Sequence, residues 1–270
     1  NMKMIMRLYF RRKLQKYCTH KVACGEKAAK WLFGSDADLV EMESFVKGEK
    51  HSKNTVVLMK NAVDTDKFSY STDVREKVRK KMKISRDTLV IGHVGRFTHD
   101  KNQSFLIDIF KAVHDRDKNT VLLLVGGGEA DDGLKNQIRH KVKDLGLEDS
   151  VKFLGVREDV EKVVQAFDVF LLPSLFEGLP VTMVEAQAAG LPCVISDKVP
   201  IQCDITGNVK VVSLEDAPEK WAEVIEDVLT NFKKKDTYET IVNAGFDIKE
   251  NAKWLKDFYV EALKEAGENN

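Results

Sequence analysis

Two carboxylates stand eight positions apart in the segment LLPSLFEGLPVTMVEAQAAG, Glu177 in a short loop and Glu185 in a pattern that predicts a helix. Between them, Gly178-Leu179-Pro180 forms a turn at the start of that helix, where free backbone N–H groups and the helix dipole favour an anion. A carboxylate that accepts two hydroxyl hydrogen bonds can hold a ribose or a sugar ring. The pair therefore predicts a site for a sugar, a phosphate and a ribose in a line.

Two cations follow an earlier apolar stretch, TLVIGHVGRF, which ends at Gly95-Arg96-Phe97, and Lys101 comes shortly after it. Fixed positive charges beside a glycine that allows close approach suit a diphosphate. Taken alone, Arg96 and Lys101 fit ordinary solvated surface charges equally well. The diphosphate interpretation gains weight because chemically suited residues also follow the other predicted strands.

Those residues are Gly126, Gly127, Gly128 and Glu129 after TVLLLV, Val156 and Arg157 after SVKFLG, and Phe176 directly before Glu177. The carboxyl ends of parallel strands meet at one edge of a sheet, and ligands bind there. Each position has an alternative of its own: the glycines can form a tight turn, and Glu185 can belong to a polar helix face.

Short apolar strands alternate with amphipathic helices from Thr88 onward. This alternation predicts a Rossmann-like, doubly wound parallel sheet of the α/β class. The motif GHVGRF contains GxxG and no GxGxxG, so a nicotinamide site is not expected. His93 lies inside a predicted strand and is interpreted as structural.

Charge and cysteine content narrow the classes of function. Lys plus Arg and Asp plus Glu are 43 each, so the net charge is zero and a nucleic-acid partner is not expected. Cys24 and Cys193 lie in apolar runs and are expected to be buried thiols, which fits a reducing cytosol. Three D-x-D pairs do not directly follow buried strands of the sheet, and we expect no metal site there.

The first residues, NMKMIMRLYFRRKLQKYCTHK, are rich in Lys and Arg and contain no acid. A basic amphipathic helix can lie on an anionic membrane surface. The same residues fit a solvated helix from a domain whose other elements lie outside this chain, and we favour this second interpretation.

The segments VGRFTHDKN, LLLVGGG, VKFLGVREDV and LLPSLFEGLPVTMVEAQAAGLPCV together resemble the nucleotide-sugar glycosyltransferases of retaining family 4, also called group 1. The hallmark of that family is a Glu-x7-Glu element, here Glu177 and Glu185. The likeness covers about residues 88–200 and continues less closely through VACGEKAAKWLFG, LMKNAVDTDKF and FDIKENAKWLKDFY. Its type is that of bacterial capsule or exopolysaccharide enzymes.

The resemblance implies the GT-B fold, in which the C-terminal domain holds a nucleoside-diphosphate sugar, here expected to be a UDP-sugar. The implied donor-binding residues are Gly95, Arg96, Lys101 and Gly127 at the diphosphate, Phe176, Glu177, Gly178 and Leu179 at the sugar, Glu185 at the ribose, and Val156 and Arg157 at the base. It also implies that Glu177, Arg96 and Lys101 are catalytic. The resemblance further implies that the configuration at the anomeric carbon is retained and that no metal or cofactor is needed. The implied acceptor is a glycan or a lipid-linked sugar.

The same resemblance divides the chain into four segments: the last part of an N-terminal acceptor domain (1–64), an interdomain linker (65–87), the donor-binding domain (88–232) and helices packing back across the domains (233–270). We therefore expect a shortened form of the family's protein in which donor binding survives. Apolar surface exposed at VVLM and KVAC would favour self-association. The expected location is the cytoplasm, with the inner face of the cell membrane as the place for peripheral association.

Two other classes of function stay open at this point. A nucleotide-sugar epimerase or a sugar phosphorylase shares the predicted sheet, although no lysine can be assigned to carry the pyridoxal phosphate of a glycogen-type phosphorylase. A nucleotide-binding Rossmann module without catalysis is the other class. Nucleotide binding that does not depend on the sugar would favour the module.

Overall fold

The computed structural model describes residues 2–45, 51–127 and 133–268. The chain folds into two compact units, one made of residues 1–62 and 245–270 and the other of residues 63–244. Within the described ranges, no helix combines the length and the apolar character needed to cross a lipid bilayer.

Helices and short strands alternate along the chain, as the apolar periodicity predicts. The helices are α1 (Met2–Tyr17), α2 (Glu26–Phe33), α3 (Thr65–Phe68), α4 (Thr72–Lys81), α5 (Gln103–Arg116), α6 (Gly133–Asp144), α7 (Val160–Val163), α8 (Val181–Ala188), α9 (Pro218–Asn231), α10 (Tyr238–Asn243) and α11 (Ile248–Glu268). The strands are β1 (Val22–Ala23), β2 (Asp38–Glu41), β3 (Thr55–Leu58), β4 (Leu89–Val94), β5 (Thr120–Val125), β6 (Val151–Gly155), β7 (Val169–Leu172), β8 (Cys193–Ser196) and β9 (Val209–Val212).

The smaller unit contains a parallel sheet with strand order β1-β3-β2. Its central strand β3 buries Val56, which packs in one cluster with Ala29 and Phe33 of α2. The expected exposure of apolar surface at VVLM and KVAC is therefore wrong, because β3 is flanked by strands on both sides and covered by α2. Exposed apolar side chains of this unit lie instead on α1, including Tyr9 and Phe10, at Trp31 of α2 and on α11, including Tyr259 and Leu263.

The polar segment between α2 and β3 contains DLVE, which forms β2, because all four of its residues pair in parallel with β3. One expectation in this unit is also wrong. Cys24 is exposed rather than buried, because β1 ends one residue earlier, at Ala23. Cys193 is buried in β8, as predicted.

The larger unit is built on a six-stranded parallel sheet with strand order β6-β5-β4-β7-β8-β9, which confirms the predicted doubly wound α/β class. Its central strands are apolar along their length, as strands covered on both faces must be. The main core joins α5 and α9 to the sheet, and Phe110, Trp221 and Ile225 are fully buried there.

The strand order of this sheet reverses between β4 and β7. From β4 the chain continues through β5 and β6 on one side, and then returns to build β7, β8 and β9 on the other. The crevice at the carboxyl ends of the strands at such a reversal is the usual ligand site of this fold. The sequence places Gly95 directly after β4 and Ser174 shortly after β7.

At the opposite, amino-terminal edge of the sheet, Asp168 joins α4 to β4. Its carboxylate forms ion pairs with Arg75 and Arg79 of α4, both at 2.5 Å, and accepts the N–H of Val90 at 2.8 Å. Residues 65–87, expected as an interdomain linker, thus fold as α3 and α4 within the larger unit. Within this charged stretch, Arg79 is buried and Arg75 is half-buried against Asp168.

Candidate active site

Lys101 and Glu177, two of the predicted site residues, form an ion pair at the point where the strand order reverses. Nζ of Lys101 lies 2.5 Å from Oε1 of Glu177, and the two side chains are 20% and 11% exposed. Lys101 ends a short 3₁₀ helix that follows β4, and Glu177 lies in the loop that follows β7. The cation expected at the diphosphate and the carboxylate expected at the sugar are therefore neighbours.

Two buried serines at the ends of adjacent strands hold Glu177 in place. The hydroxyl of Ser174 donates to Oε1 of Glu177 at 2.7 Å, and the hydroxyl of Ser196 donates to the carbonyl oxygen of Ser174 at 2.5 Å. Both contacts of Glu177 use Oε1, and within the described part of the chain Oε2 has no hydrogen-bond partner. That oxygen can accept a hydroxyl group of a ligand.

Asn102 joins the loop after β4 to the loop after β7. Its backbone is left-handed (φ 53°), which asparagine tolerates better than most residues, and its Nδ2 donates to the carbonyl oxygen of Pro173 at 3.1 Å. The N–H of Leu175 donates to the carbonyl oxygen of Asp100 at 2.8 Å. The two loops that carry Lys101 and Glu177 are thus bonded to each other at three places.

His93 lies buried in β4 behind the ion pair. Its Nδ1 bonds the carbonyl oxygen of Leu171 at 2.9 Å, so Nδ1 carries the proton and Nε2 is left as an acceptor. Burial lowers the pKa of His93 to about 4, and the positive charge of Lys101 contributes in the same direction. The imidazole is therefore neutral at physiological pH, in keeping with the structural role that the sequence predicts.

Gly95 leaves room for His93 and Lys101 to approach the backbone. A Cβ atom at Gly95 would lie 3.1 Å from Nε2 of His93 and 3.5 Å from Cδ and Cε of Lys101. Beside it, the side chain of Gln103 is buried and donates to the carbonyl oxygen of Arg96 at 2.7 Å. The close approach predicted at Gly95 is thus, in the first place, an approach of protein groups that set the position of the Lys101 ammonium.

Arg96 is exposed at the same edge, and in the described ranges no carboxylate lies within ion-pair distance of its guanidinium. Its backbone is fixed by the bond from Gln103, while its side chain is available to an anion. The second predicted cation therefore differs from Lys101, which is already neutralised by Glu177 in the free protein.

The glycines after β5 pack against the loop after β4. A Cβ atom at Gly126, whose φ is 140°, would come within 2.0 Å of the carbonyl oxygen of Gly95, so only glycine fits. The carbonyl oxygen of Gly127 accepts the N–H of Phe97 at 2.8 Å. The tight-turn alternative thus accounts for Gly126, while Gly127 borders the crevice; Gly128 and Glu129 lie outside the described residues.

Val156, expected at the base, and Phe176, expected at the sugar, are 80% and 67% exposed, so both side chains are open to contact. Arg157 is held by Asp159 through two hydrogen bonds of 2.8 and 2.7 Å. This pairing raises the pKa of Arg157 and lowers that of Asp159.

Glu185 lies in α8, which begins at Val181 immediately after Pro180. Its carboxyl group is half-buried, and burial raises its pKa. Among the described residues, no donor or cation is paired with it. A half-buried carboxylate without a partner is unfavourable in the free protein, and hydroxyl groups of a ligand can satisfy it.

The residues that position the ion pair were not predicted from the sequence; they are Asn102, Gln103, Ser174 and Ser196. Two of them carried a signal, because hydroxyl groups at the ends of adjacent strands can bond across a sheet edge. In the part of the chain that the structure describes, no group of three or more His, Cys, Asp or Glu side chains could hold a metal ion.

Residues 74–245, more than half of the chain, match the family described as "Glycosyl transferases group 1". A glycosyltransferase of Bacillus subtilis (strain 168) named EpsF is 34% identical over 255 residues, which are 93% of this chain and 62% of that protein. The Escherichia coli UDP-Gal:alpha-D-GlcNAc-diphosphoundecaprenol alpha-1,3-galactosyltransferase is 27% identical, over 91% of this chain and 61% of that protein.

Among solved structures, Anabaena Alr3699/HepE in complex with UDP and glucose superposes with a TM-score of 0.70 at 19% identity, over 94% of this chain and 66% of that chain. The chain belongs to the group 1 glycosyl transferases, and its fold is that of the GT-B glycosyltransferases. It spans about three fifths of the length of the two curated relatives.

Proposed function

We propose that this protein transfers a sugar from a nucleoside-diphosphate sugar, a UDP-sugar in particular, to a glycan or lipid-linked acceptor with retention at the anomeric carbon. The observation that carries the proposal is the ion pair of Lys101 and Glu177 at the carboxyl ends of β4 and β7. It supports adjacent subsites for a diphosphate and a sugar, the two groups that a nucleotide sugar joins. That several structural neighbours were solved with UDP supports the choice of base.

In the proposed reaction, Arg96 and Lys101 bind the diphosphate and stabilise the negative charge that develops on it. The bond between the anomeric carbon and the diphosphate oxygen breaks, and the acceptor oxygen forms a bond to the same carbon on the same face. The proton of the acceptor hydroxyl passes to the departing phosphate oxygen. The two cations supply the charge that a metal supplies elsewhere, so added metal is not required.

Glu177 and Glu185 hold the donor at two separated places. The free Oε2 of Glu177 would accept hydroxyl groups of the donor sugar, with the backbone of Gly178 and Leu179 nearby. Glu185 would accept the ribose hydroxyls, which gives its half-buried carboxylate the partners it lacks. Val156 and Arg157 would border the base, and the backbone of Phe176 would lie near the donor sugar.

An acceptor in capsule or exopolysaccharide synthesis is part of the proposal. It draws support from the name of the Escherichia coli relative, a transferase that acts on a diphosphoundecaprenol-linked sugar. A lipid-linked acceptor would place a cytoplasmic protein at the inner face of the membrane. The exposed aromatic side chains and the lysines of α1 support that position.

Vesicle co-sedimentation tests this part of the proposal. Binding to vesicles that contain anionic lipid, and its loss in high salt, would support peripheral association. Self-association through the exposed face of α1 would instead appear as a concentration-dependent increase in mass by analytical ultracentrifugation, without vesicles.

The alternatives receive less support. Family membership favours a transferase over a nucleotide-sugar epimerase. A non-catalytic nucleotide-binding module would account for Glu185 at the ribose, but it gives no role to the free Oε2 of Glu177 beside Lys101. The first experiment is calorimetric titration with UDP, GDP, ADP, dTDP and NAD, with and without EDTA. Selective binding of one nucleoside diphosphate that EDTA does not change would support the donor site.

Binding of NAD alone, or binding that requires added metal, would contradict the proposal. Transfer itself is tested by NMR of the product formed from UDP-glucose or UDP-galactose and a lipid-diphosphate-linked acceptor sugar. Retention requires that the α-configured donor gives an α-linked product, and a β-linked product would refute it.

A further inference from the structure

Gln187 is a fully buried glutamine in α8 whose side-chain amide is saturated with hydrogen bonds. Its Nε2 donates to the carbonyl oxygen of Cys203 at 2.7 Å and to one carbonyl of its own helix. Its Oε1 accepts the N–H of Ile205 at 2.8 Å, and both the N–H and the hydroxyl of Thr206 at 3.1 and 3.2 Å. One side chain therefore holds the backbone of three residues of a single loop, namely Cys203, Ile205 and Thr206.

That loop, residues 197–208, connects β8 to β9 and is called here the β8–β9 loop. It leaves the sheet directly after Ser196, whose hydroxyl bonds Ser174 beside Glu177. Burial raises the pKa of the Cys203 thiol to about 12, and the negative charges of Asp204 and Glu177 contribute. Through Ser196 and Ser174, the start of the loop is thus linked to the Glu177 carboxylate by two consecutive hydrogen bonds.

The 3₁₀ helix of this loop carries one exposed apolar and one exposed polar side chain. Ile201, which starts the helix, is 53% exposed, Gln202 beside it is also exposed, and Cys203 is fully buried. Such a surface offers a sugar an apolar contact and one hydrogen-bonding group. The site can discriminate between sugars that differ in the orientation of one hydroxyl group only if this loop stays in one position.

We propose that the β8–β9 loop forms one wall of the donor-sugar subsite beside Glu177, and that Gln187 is the positioning residue that fixes this wall. The choice between donor sugars then depends on a side chain that does not touch the sugar. This inference rests on the proposed function, because it needs a nucleotide-sugar site at Glu177.

Replacing Gln187 by leucine keeps the apolar bulk but removes every hydrogen bond to the loop. The N–H groups of Ile205 and Thr206 and the carbonyl oxygen of Cys203 would be left unsatisfied, so the loop must move toward water. Diphosphate binding by Lys101 and Arg96 does not involve this loop. The substitution is therefore expected to affect the sugar and spare the nucleotide.

The test is calorimetric titration of the 270-residue chain with UDP, UDP-glucose and UDP-galactose. For Gln187→Leu, UDP affinity should stay within about twofold, and the preference between the two sugars should shrink by about tenfold, the range that pocket shape commonly supplies. The matched control is Gln165→Leu. Gln165 is also a buried glutamine with a fully bonded amide, but it holds Phe68 and Ser71.

The control variant should keep the sugar preference of the parent chain. An unchanged preference in Gln187→Leu, an equal loss in Gln165→Leu, or a parent chain that binds UDP without any preference would each overturn the inference. Thr206→Val, which removes only one hydrogen bond, serves if Gln187→Leu does not fold and should lower the preference less. A parent chain that binds neither UDP nor the UDP-sugars would instead refute the proposed function itself.

Discussion

Lys101 and Glu177 approach each other from opposite sides of the reversal in strand order, and their charged atoms lie 2.5 Å apart. Residues 76 positions apart in the sequence are thereby brought to one point. In the free protein the Glu177 carboxylate is paired with the Lys101 ammonium, the group that a diphosphate would bind. Donor binding must therefore redistribute the hydrogen bonds of Lys101, and the two partners should respond differently to substitution.

Lys101→Met should weaken UDP and UDP-glucose equally, by about 10- to 100-fold, because each loses a charge-assisted hydrogen bond. Calorimetry measures both affinities. Lys111→Met, on the exposed side of α5 where Lys111 pairs with Asp115, is the control and should bind both as the parent chain does. Retained affinity in Lys101→Met would remove Lys101 from the donor site.

Glu177→Gln should weaken binding of the sugar part of the donor and spare binding of UDP. It releases Lys101 from its carboxylate, so UDP affinity should stay or rise, while the advantage of UDP-glucose over UDP should fall by about tenfold. The ratio of the two affinities is the quantity to measure. An equal fall in the affinities for UDP and for UDP-glucose would mean that Glu177 positions Lys101 and does not bind the sugar.

Glu185→Gln should stabilise the free protein and weaken donor binding. Burial raises the pKa of Glu185 above its ordinary 4.5, so the folded state binds this proton more tightly than the unfolded state. The stability that this group contributes is present below that value and is lost as pH rises through the raised pKa. At pH 7 the variant should therefore be more stable than the parent chain, by about 1 kcal/mol.

Urea unfolding at pH 4 and pH 7 measures this difference, which should vanish at the lower pH. The exposed Glu148, substituted to glutamine, should show no difference at either pH. A destabilised Glu185→Gln at pH 7 would mean that the carboxylate has a stabilising partner, and the ribose assignment would lose its basis.

The strand ends and the two glutamates could be predicted because they depend on local patterns. Alternating apolar segments define the strands, and the Glu-x7-Glu spacing defines Glu177 and Glu185. What could not be predicted is which groups meet through space. The left-handed Asn102, the bond from Ser196 to Ser174 and the burial of Gln187 against the β8–β9 loop all depend on segments distant in sequence.

The partners of the charged residues in 65–87 also depend on segments distant in sequence. A run with this many lysines and arginines is typically solvated. Nothing in the local sequence shows that the Arg79 guanidinium is buried and donates to four backbone carbonyl oxygens and to Asp168. Periodicity carries information on which face is apolar. It carries none on which charge has a buried partner.

His93 should make stability depend on pH. Its pKa is about 4 in the folded protein against an ordinary value of 6.5, chiefly through burial, so the unfolded state binds more protons between these values. The contribution is complete above pH 6.5 and is lost as pH falls toward 4, about 3 kcal/mol in all. His93→Gln should lack this component, and His140→Gln, at an exposed position, should retain it in urea unfolding between pH 4.5 and 7.5.

Asp168→Asn should be the most destabilising of these substitutions, by about 3 kcal/mol or more, because it leaves the buried guanidinium of Arg79 and its neighbour Arg75 without a counter-charge. Asp115→Asn breaks two ion pairs that are largely exposed and should change stability by less than about 0.5 kcal/mol. Urea unfolding compares the two at pH 7. Because Asp168 lies at the amino-terminal edge of the sheet, UDP affinity of the folded variant should match the parent chain. Equal effects of the two substitutions on stability would show that α4 is not anchored through Asp168.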